Sequence, residues 1–236
     1  MGLIALLFGV LALARWRFHR LAVQAREGEL GVRDRIESLE RENAELLSAL
    51  EQTREYAEHD GLTGLWNRRM IQERLRQEVN RSGREGTPLT VIMVDLDHFK
   101  NVNDTFGHAA GDLVLKETGA VFQRSVRSYD WVGRYGGEEF LLILPGTNFE
   151  SARRRAEQLR VAVQTARILY GETAIPVTAS FGTASGFPSG GESIVLAADA
   201  ALYRAKENGR NCVMAEEIEP AGNSAQPPER RRAGIS

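Results

Sequence analysis

The chain opens on an unbroken apolar run, Leu3 to Ala14 (LIALLFGVLALA), twelve residues without a polar side chain. A hydrocarbon core takes roughly 20 apolar residues to cross. The run therefore spans only with help from Met1, Gly2, Trp16 and Phe18, while Arg15 and Arg17 snorkel. The arginine-rich flank RWRFHR predicts that everything downstream stays on the cytoplasmic side, with Trp16 at headgroup level. A secretory leader is the competing reading, because Ala12-Leu13-Ala14 has small-x-small spacing. The charged stretch such a leader carries before its apolar run is missing, and two arginines follow at once. The expectation over residues 1–20 is a membrane anchor or part of a longer membrane segment.

Between Val32 and Ala57 the period changes. Val32, Ile36, Leu39, Leu46, Leu50 and Ala57 follow a heptad in which Asn43 takes an a position. Ile36 and Leu50 at a, with Leu39 and Leu46 at d, favour a parallel two-stranded coil, and an Asn buried at a fixes its register. Thr53 at d weakens the seam, and a lone helix packed on its own domain would carry the same stripe. Neither Pro nor Gly interrupts the stretch before Gly61, so one continuous helix is predicted, with a coiled-coil unit over residues 21–59.

Beyond Gly61 helical and strand patterns alternate. An amphipathic helix is predicted over Arg68 to Arg81, and LTVIMVD ending at Asp95 reads as a buried strand. A helix from Ala109 to Val126 precedes a hairpin from Trp131 to Pro145, whose second arm FLLILP is again buried. Further on come a helix from Phe149 to Leu169, the alternating strand VTASFGTAS, a helix from Ser193 to Asn208 and a last strand from Arg210 to Met214. Strands alternating with helices but including a hairpin imply an α/β chain of the α+β type, a central mixed β-sheet wrapped by helices and preceded by a long helix. This folded unit covers residues 60–215. From Glu216 to Ser236 no period remains, and a disordered tail is expected.

Composition narrows the function. With 30 basic against 32 acidic residues the net charge is −2, which leaves no general basic footprint and excludes nucleic acid as an obvious partner. The single cysteine, Cys212, rules out an intrachain disulfide and multi-thiolate zinc sites.

Asp95 and Asp97 bracket Leu96 on one strand, so both carboxylates fall on one face, where a hard cation suits them. A second acidic pair, Glu138-Glu139, lies at the tip of RYGGEEF, where Gly136 and Gly137 suit a tight turn and close ligand approach. If hairpin and strand are neighbours, three carboxylates converge as in two-metal phosphoryl chemistry. The chain holds only three lysines, and two of them, Lys100 and Lys206, lie where a compact cation suits phosphate. Asn103, His108 and Asp112 open the next helix, and amide and carboxylate groups can read a purine edge. Asp104 and Thr105 read as helix caps.

These residues belong to an ordered set: DGLTGLWNRR from Asp60, DLDHFKNVND from Asp95, GHAAGD from Gly107, RYGGEEF from Arg134, TASFGTA from Thr178 and ALYRAKENGRN from Ala201. Together they resemble the GGDEF-domain diguanylate cyclases, with Glu at the third signature position. The resemblance implies condensation of two GTP to cyclic di-GMP with release of two pyrophosphates, on a fold similar to the palm of nucleotidyl cyclases and polymerases. It further implies two Mg2+ or Mn2+ per active site on Asp95, the Leu96 carbonyl, Glu138 and Glu139, with Glu138 as general base. Lys100 becomes the transition-state phosphate contact, Asn103 and Asp112 the guanine readers and His108 a nearby contact. Lys206 and Arg210 match the triphosphate pair, and Gly136 and Gly137 leave room for the α-phosphate and ribose. Arg127 and Asp130 match an inhibitory product site of the RxxD type. A homodimer through the coiled coil, and a cytoplasmic catalytic domain attached to the bacterial inner membrane, complete the expectation. A catalytically silent cyclic di-GMP-binding effector and a cyclase of relaxed nucleotide specificity remain the alternatives.

Overall fold

The computed structural model describes residues 2–218, leaving aside the side chains of 3–8, 10 and 24–34. It divides into two compact units, the first ending at Glu55 and the second beginning at Tyr56. The first is built on α1, a single helix over Gly2–Glu58. Ile36, Leu39, Leu46 and Leu50 of the heptad stripe are 46 to 66% exposed on it. Among the described residues no helix is long and apolar enough to cross a membrane.

The second unit follows the order α2 (Arg68–Glu85), β1 (Leu89–Leu96), α3 (Phe99–Phe106), α4 (His108–Ser125), β2 (Trp131–Arg134) and β3 (Glu139–Pro145). It continues with α5 (Phe149–Thr165), β4 (Ile168–Tyr170), β5 (Thr173–Ile175), β6 (Ala179–Gly186), α6 (Gly191–Glu207) and β7 (Val213–Ile218). Five strands form one sheet in the order β2-β3-β1-β6-β7. Only β6 and β7 run parallel, so the sheet is mixed as expected.

Alternation along the strands divides the core. Ile92, Val94 and Leu96 of β1, with Phe140, Leu142 and Leu144 of β3, pack on α4, α5 and the β4–β5 hairpin. Val91 and Met93, with Leu141 and Ile143, face Ile71 and Leu75 of α2 and Ile194, Ala198 and Leu202 of α6. A sheet covered on both faces explains why β1 and β3 read as unbroken apolar runs. The central strand β1 thus ends, with Asp95 and Leu96, between β3 and β6.

The structure corrects several expected boundaries. The helix from Phe149 stops at Thr165, and Ile168 instead starts a hairpin whose turn holds Gly171 at φ 61°. Three-residue strands with one core-facing residue each are too short to show a period. An additional helix, α3, precedes α4. The last strand runs to Ile218, so Glu216 and Glu217 are strand residues rather than tail, their exposed carboxylates standing on an edge strand. The remainder of the expected tail, 219–236, lies outside the described residues.

Candidate active site

Because β1 pairs with β3 in antiparallel register, Asp95 stands opposite Glu139. The Leu96 amide donates to the Glu138 carbonyl at 3.3 Å, which fixes the Glu138-Glu139 pair at the end of β1. Asp95 is only 8% exposed. Its Oδ2 accepts from Lys206 Nζ, carried on the last turn of α6, at 2.7 Å. Burial and the Asp95 carboxylate push the Glu138 carboxyl above the usual glutamate range; Lys206 opposes this and Glu139 adds to it. Among the described residues, no three Asp, Glu, His or Cys side chains close on a single metal-sized point. The ammonium of Lys206 provides the positive charge beside Asp95.

The turn between β2 and β3 is held by a residue to which sequence reading gave no role. Arg134 donates through Nε and Nη2 to the Gly137 carbonyl at 3.1 and 2.7 Å, while its Nη1 lies 3.3 Å from both carboxylate oxygens of Asp60. Asp60 also accepts from the amide and hydroxyl of Thr63. Burial raises the Asp60 pKa, but the two Thr63 hydrogen bonds and Arg134 outweigh it and hold the carboxyl below the usual aspartate range. The spacing Asp-x-x-Thr was the visible signal of this turn. Its partner, 74 positions away, was not visible. Neither Gly136 nor Gly137, read as suiting a tight turn, has a positive φ. A methyl group at Gly136 would meet the Glu139 carboxylate, the movable end of a flexible side chain, whereas Gly137 is open to solvent.

Six of the expected side chains and backbone groups meet in one cleft of about 480 Å³, lined by Lys100, Asn103, His108, Asp112, Gly137 and Glu138 together with Arg134. The kink that brings α3 and α4 together is Gly107, at φ 84°, which ends the first helix and starts the second. Asp104 and Thr105 lie inside α3, so the capping expected of them is not observed. Asn103 seats over Gly111: a methyl group at that position would overlap Asn103 Oδ1. Gly111 is therefore a site residue that its plain place in a helix concealed.

Asp97 departs from expectation. Instead of joining Asp95 toward a cation, it is buried and accepts from Ser180 Oγ at 2.7 Å, Thr178 Oγ1 at 2.8 Å and the Asn211 amide at 3.0 Å. Arg210 is exposed, at φ 63°, just after α6, and its amide donates to the Ala205 carbonyl at 3.1 Å.

Residues 57–212 match the family model for the diguanylate cyclase GGDEF domain. The chain belongs to the GGDEF family. It is 42% identical over 179 residues, 75% of its length, to a protein of Pseudomonas aeruginosa called diguanylate cyclase DgcP. The chain spans only 27 to 38% of the length of this and two other curated relatives, diguanylate cyclase A of Treponema denticola and the response regulator PleD of Caulobacter vibrioides. Among solved structures, the coiled coil and GGDEF domain of DgcB from Caulobacter crescentus, in complex with c-di-GMP, superposes with a TM-score of 0.73 at 33% identity. That match covers 78% of this chain and 99% of the other. The active GGEEF domain of a diguanylate cyclase from Vibrio cholerae gives a TM-score of 0.60 at 35% identity, over 63% and 96% of the two chains.

In this GGDEF domain Arg127 and Asp130 line no part of the Glu138 cleft. Arg127 borders a separate cavity of about 440 Å³ between the end of α2 and the start of β1. Its guanidinium donates to Tyr129 Oη at 2.8 Å and lies over the Tyr129 ring. Asp130 closes the turn by accepting from the Arg127 amide at 2.9 Å, while its Oδ1 is buried without a partner. Burial raises the Asp130 pKa against the pull of Arg127.

Proposed function

We propose that this chain is a diguanylate cyclase, condensing two GTP into cyclic di-GMP with release of two pyrophosphates at the interface of two GGDEF domains, each holding one GTP. The observation that carries the reading is the convergence of Lys100, Asn103, His108, Asp112 and Glu138 on one cleft beside the buried Asp95. Asn103 and Asp112 read the guanine edge, and His108 lies beside them. Gly136 and Gly137 leave room for the α-phosphate and ribose. Lys206 and Arg210 bind the triphosphate. Glu138 takes the proton of the ribose 3′-hydroxyl. The freed 3′-oxygen attacks the α-phosphorus of the GTP in the facing domain, the bond to pyrophosphate breaks, and Lys100 stabilises the spreading charge. The second, symmetric attack closes the ring.

The donor set fits a hard divalent cation, Mg2+ or Mn2+, two per site. The half-buried Glu138 and the buried Asp95 repel each other, and positive charge relieves that repulsion. Asp95, the Leu96 carbonyl, Glu138 and Glu139 would hold these ions, with Lys206 released to phosphate. Bound there, they supply Lewis acidity at phosphorus and neutralise leaving-group charge. Glu at the third signature position is compatible with activity, since the active Vibrio cholerae domain is of the GGEEF type as well.

Two such domains must meet, and the exposed stripe Ile36, Leu39, Leu46 and Leu50 supports a homodimer through a coiled coil registered by Asn43. Arg127 and Asp130 form the inhibitory product site; the c-di-GMP complex of DgcB supports product binding by this fold. The apolar run Leu3 to Ala14 and its arginine flank support attachment to the bacterial inner membrane, with the catalytic unit in the cytoplasm.

The deciding experiment incubates the chain with GTP and magnesium and identifies the product by mass, with Glu138→Gln in parallel. The expected result is cyclic di-GMP from the parent, and a loss of at least about a hundredfold in the variant. An assembled dimer that makes no product would replace this reading by that of a cyclic di-GMP-binding effector.

A further inference from the structure

Just beyond α6 three consecutive residues have positive φ: Gly209 at 97°, Arg210 at 63° and Asn211 at 45°. Glycine adopts this region freely, but a residue with a Cβ stays there only where its surroundings hold it. Here the holding contacts are explicit. The Asn211 amide donates to Asp97 Oδ2 at 3.0 Å, and Arg160 Nη1 donates to Asn211 Oδ1 at 2.7 Å. Each partner is itself fixed. Asp97 is tied by Ser180 and Thr178 on β6 and the approach to it, and Arg160 by a two-nitrogen contact to Glu157 within α5. The Arg160 side chain is only 14% exposed. With three donors on its two oxygens, the Asp97 carboxylate is already committed to this network.

We infer that Asp97 and Arg160 are positioning residues that lock the Arg210–Asn211 turn from two sides, so that Arg210 meets the nucleotide triphosphate already ordered. The inference rests on the reading of Arg210 as a triphosphate contact. A guanidinium on an otherwise exposed turn loses backbone and side-chain freedom on binding, and a turn fixed beforehand has that cost removed. The turn also follows Lys206 by four residues and is joined to α6 through the Arg210 amide, which donates to the Ala205 carbonyl.

Asp97→Asn changes a buried network and puts folding at risk, so the test is carried by Arg160→Gln on α5. Affinities are measured by calorimetry for an α,β-methylene analogue of GTP, which cannot lose pyrophosphate, and for GMP, which lacks the outer phosphates. Arg160→Gln is expected to weaken the analogue about fivefold and leave GMP unchanged, with an unfolding midpoint within a few degrees of the parent. Arg210→Ala is expected to weaken the analogue about tenfold, and adding Arg160→Gln to it should weaken binding no further. Equal losses for GMP and the analogue, full additivity in the double variant, or no effect of Arg160→Gln while Arg210→Ala has one would overturn the inference alone. If Arg210→Ala leaves the analogue's affinity unchanged, the triphosphate reading of Arg210 falls and the inference falls with it.

Discussion

Asn103 owes its place to a residue on the next helix. Gly111 is buried in α4 under the Asn103 amide, and any side chain there must displace that amide. Gly111→Ala is therefore expected to raise the KM for GTP about tenfold and to reduce discrimination against ATP, the scale of one lost hydrogen-bonded base contact. Competition kinetics with both nucleotides would measure it, and an unchanged preference would sink this account of Asn103. At this scale the sequence was an uneven guide. Asp95, Lys100 and Asn103 are recognisable because they fall together in one short segment. Asp97 looks equivalent to Asp95 by its period-two spacing, yet its partners Thr178 and Ser180 lie 81 and 83 positions away, and these make it structural. Alternation tells which face a side chain takes and says nothing of the donors waiting there.

Among the elements, the β2–β3 turn is the one whose geometry depends on charge. Asp60 holds Arg134, and Arg134 holds the Gly137 carbonyl, so a carboxylate outside the hairpin keeps the signature turn in shape. Since the folded Asp60 pKa is lowered, its contribution to stability is fully present above the ordinary aspartate value of about 3.9. It is lost as pH falls through the depressed folded value. Melting curves of the parent and Asp60→Asn should thus differ near neutrality and converge on acidification; a constant gap across that range would count against the pairing. The long strands β1 and β3 were legible as apolar runs because both faces are buried. The β4–β5 hairpin was not, and α3 was hidden because its eight residues bury only Phe99. The capping expected of Asp104 and Thr105 falls elsewhere: Asn67 and Asn148 cap α2 and α5, and Gly107 takes the N-cap position of α4 with no side chain to offer.

For the whole molecule, activity as proposed depends on two copies meeting, and Asn43 is the residue expected to discipline that meeting. Asn43→Leu should tighten self-association and admit species beyond the dimer, as removal of a polar a residue does in parallel coils. Sedimentation of the full chain would report this, and an unaltered distribution would remove Asn43 from the seam. The unbroken helix was legible from residue type alone; a partner for its heptad stripe is a matter of a second chain, which no single sequence encodes. The GGDEF unit also has an end that matters in the laboratory. The family match ends at residue 212, but β7 lies wholly beyond it, at Val213–Ile218, in parallel register with β6 from Phe181 to Gly186. A gene trimmed at the family boundary would yield a protein with the backbone of β6 laid bare along six consecutive pairings. Light scattering should find such a trimmed protein prone to aggregate where one ending after Ile218 stays dispersed. In a screen of shortened clones, its poor yield would be easily misread as a defect of catalysis.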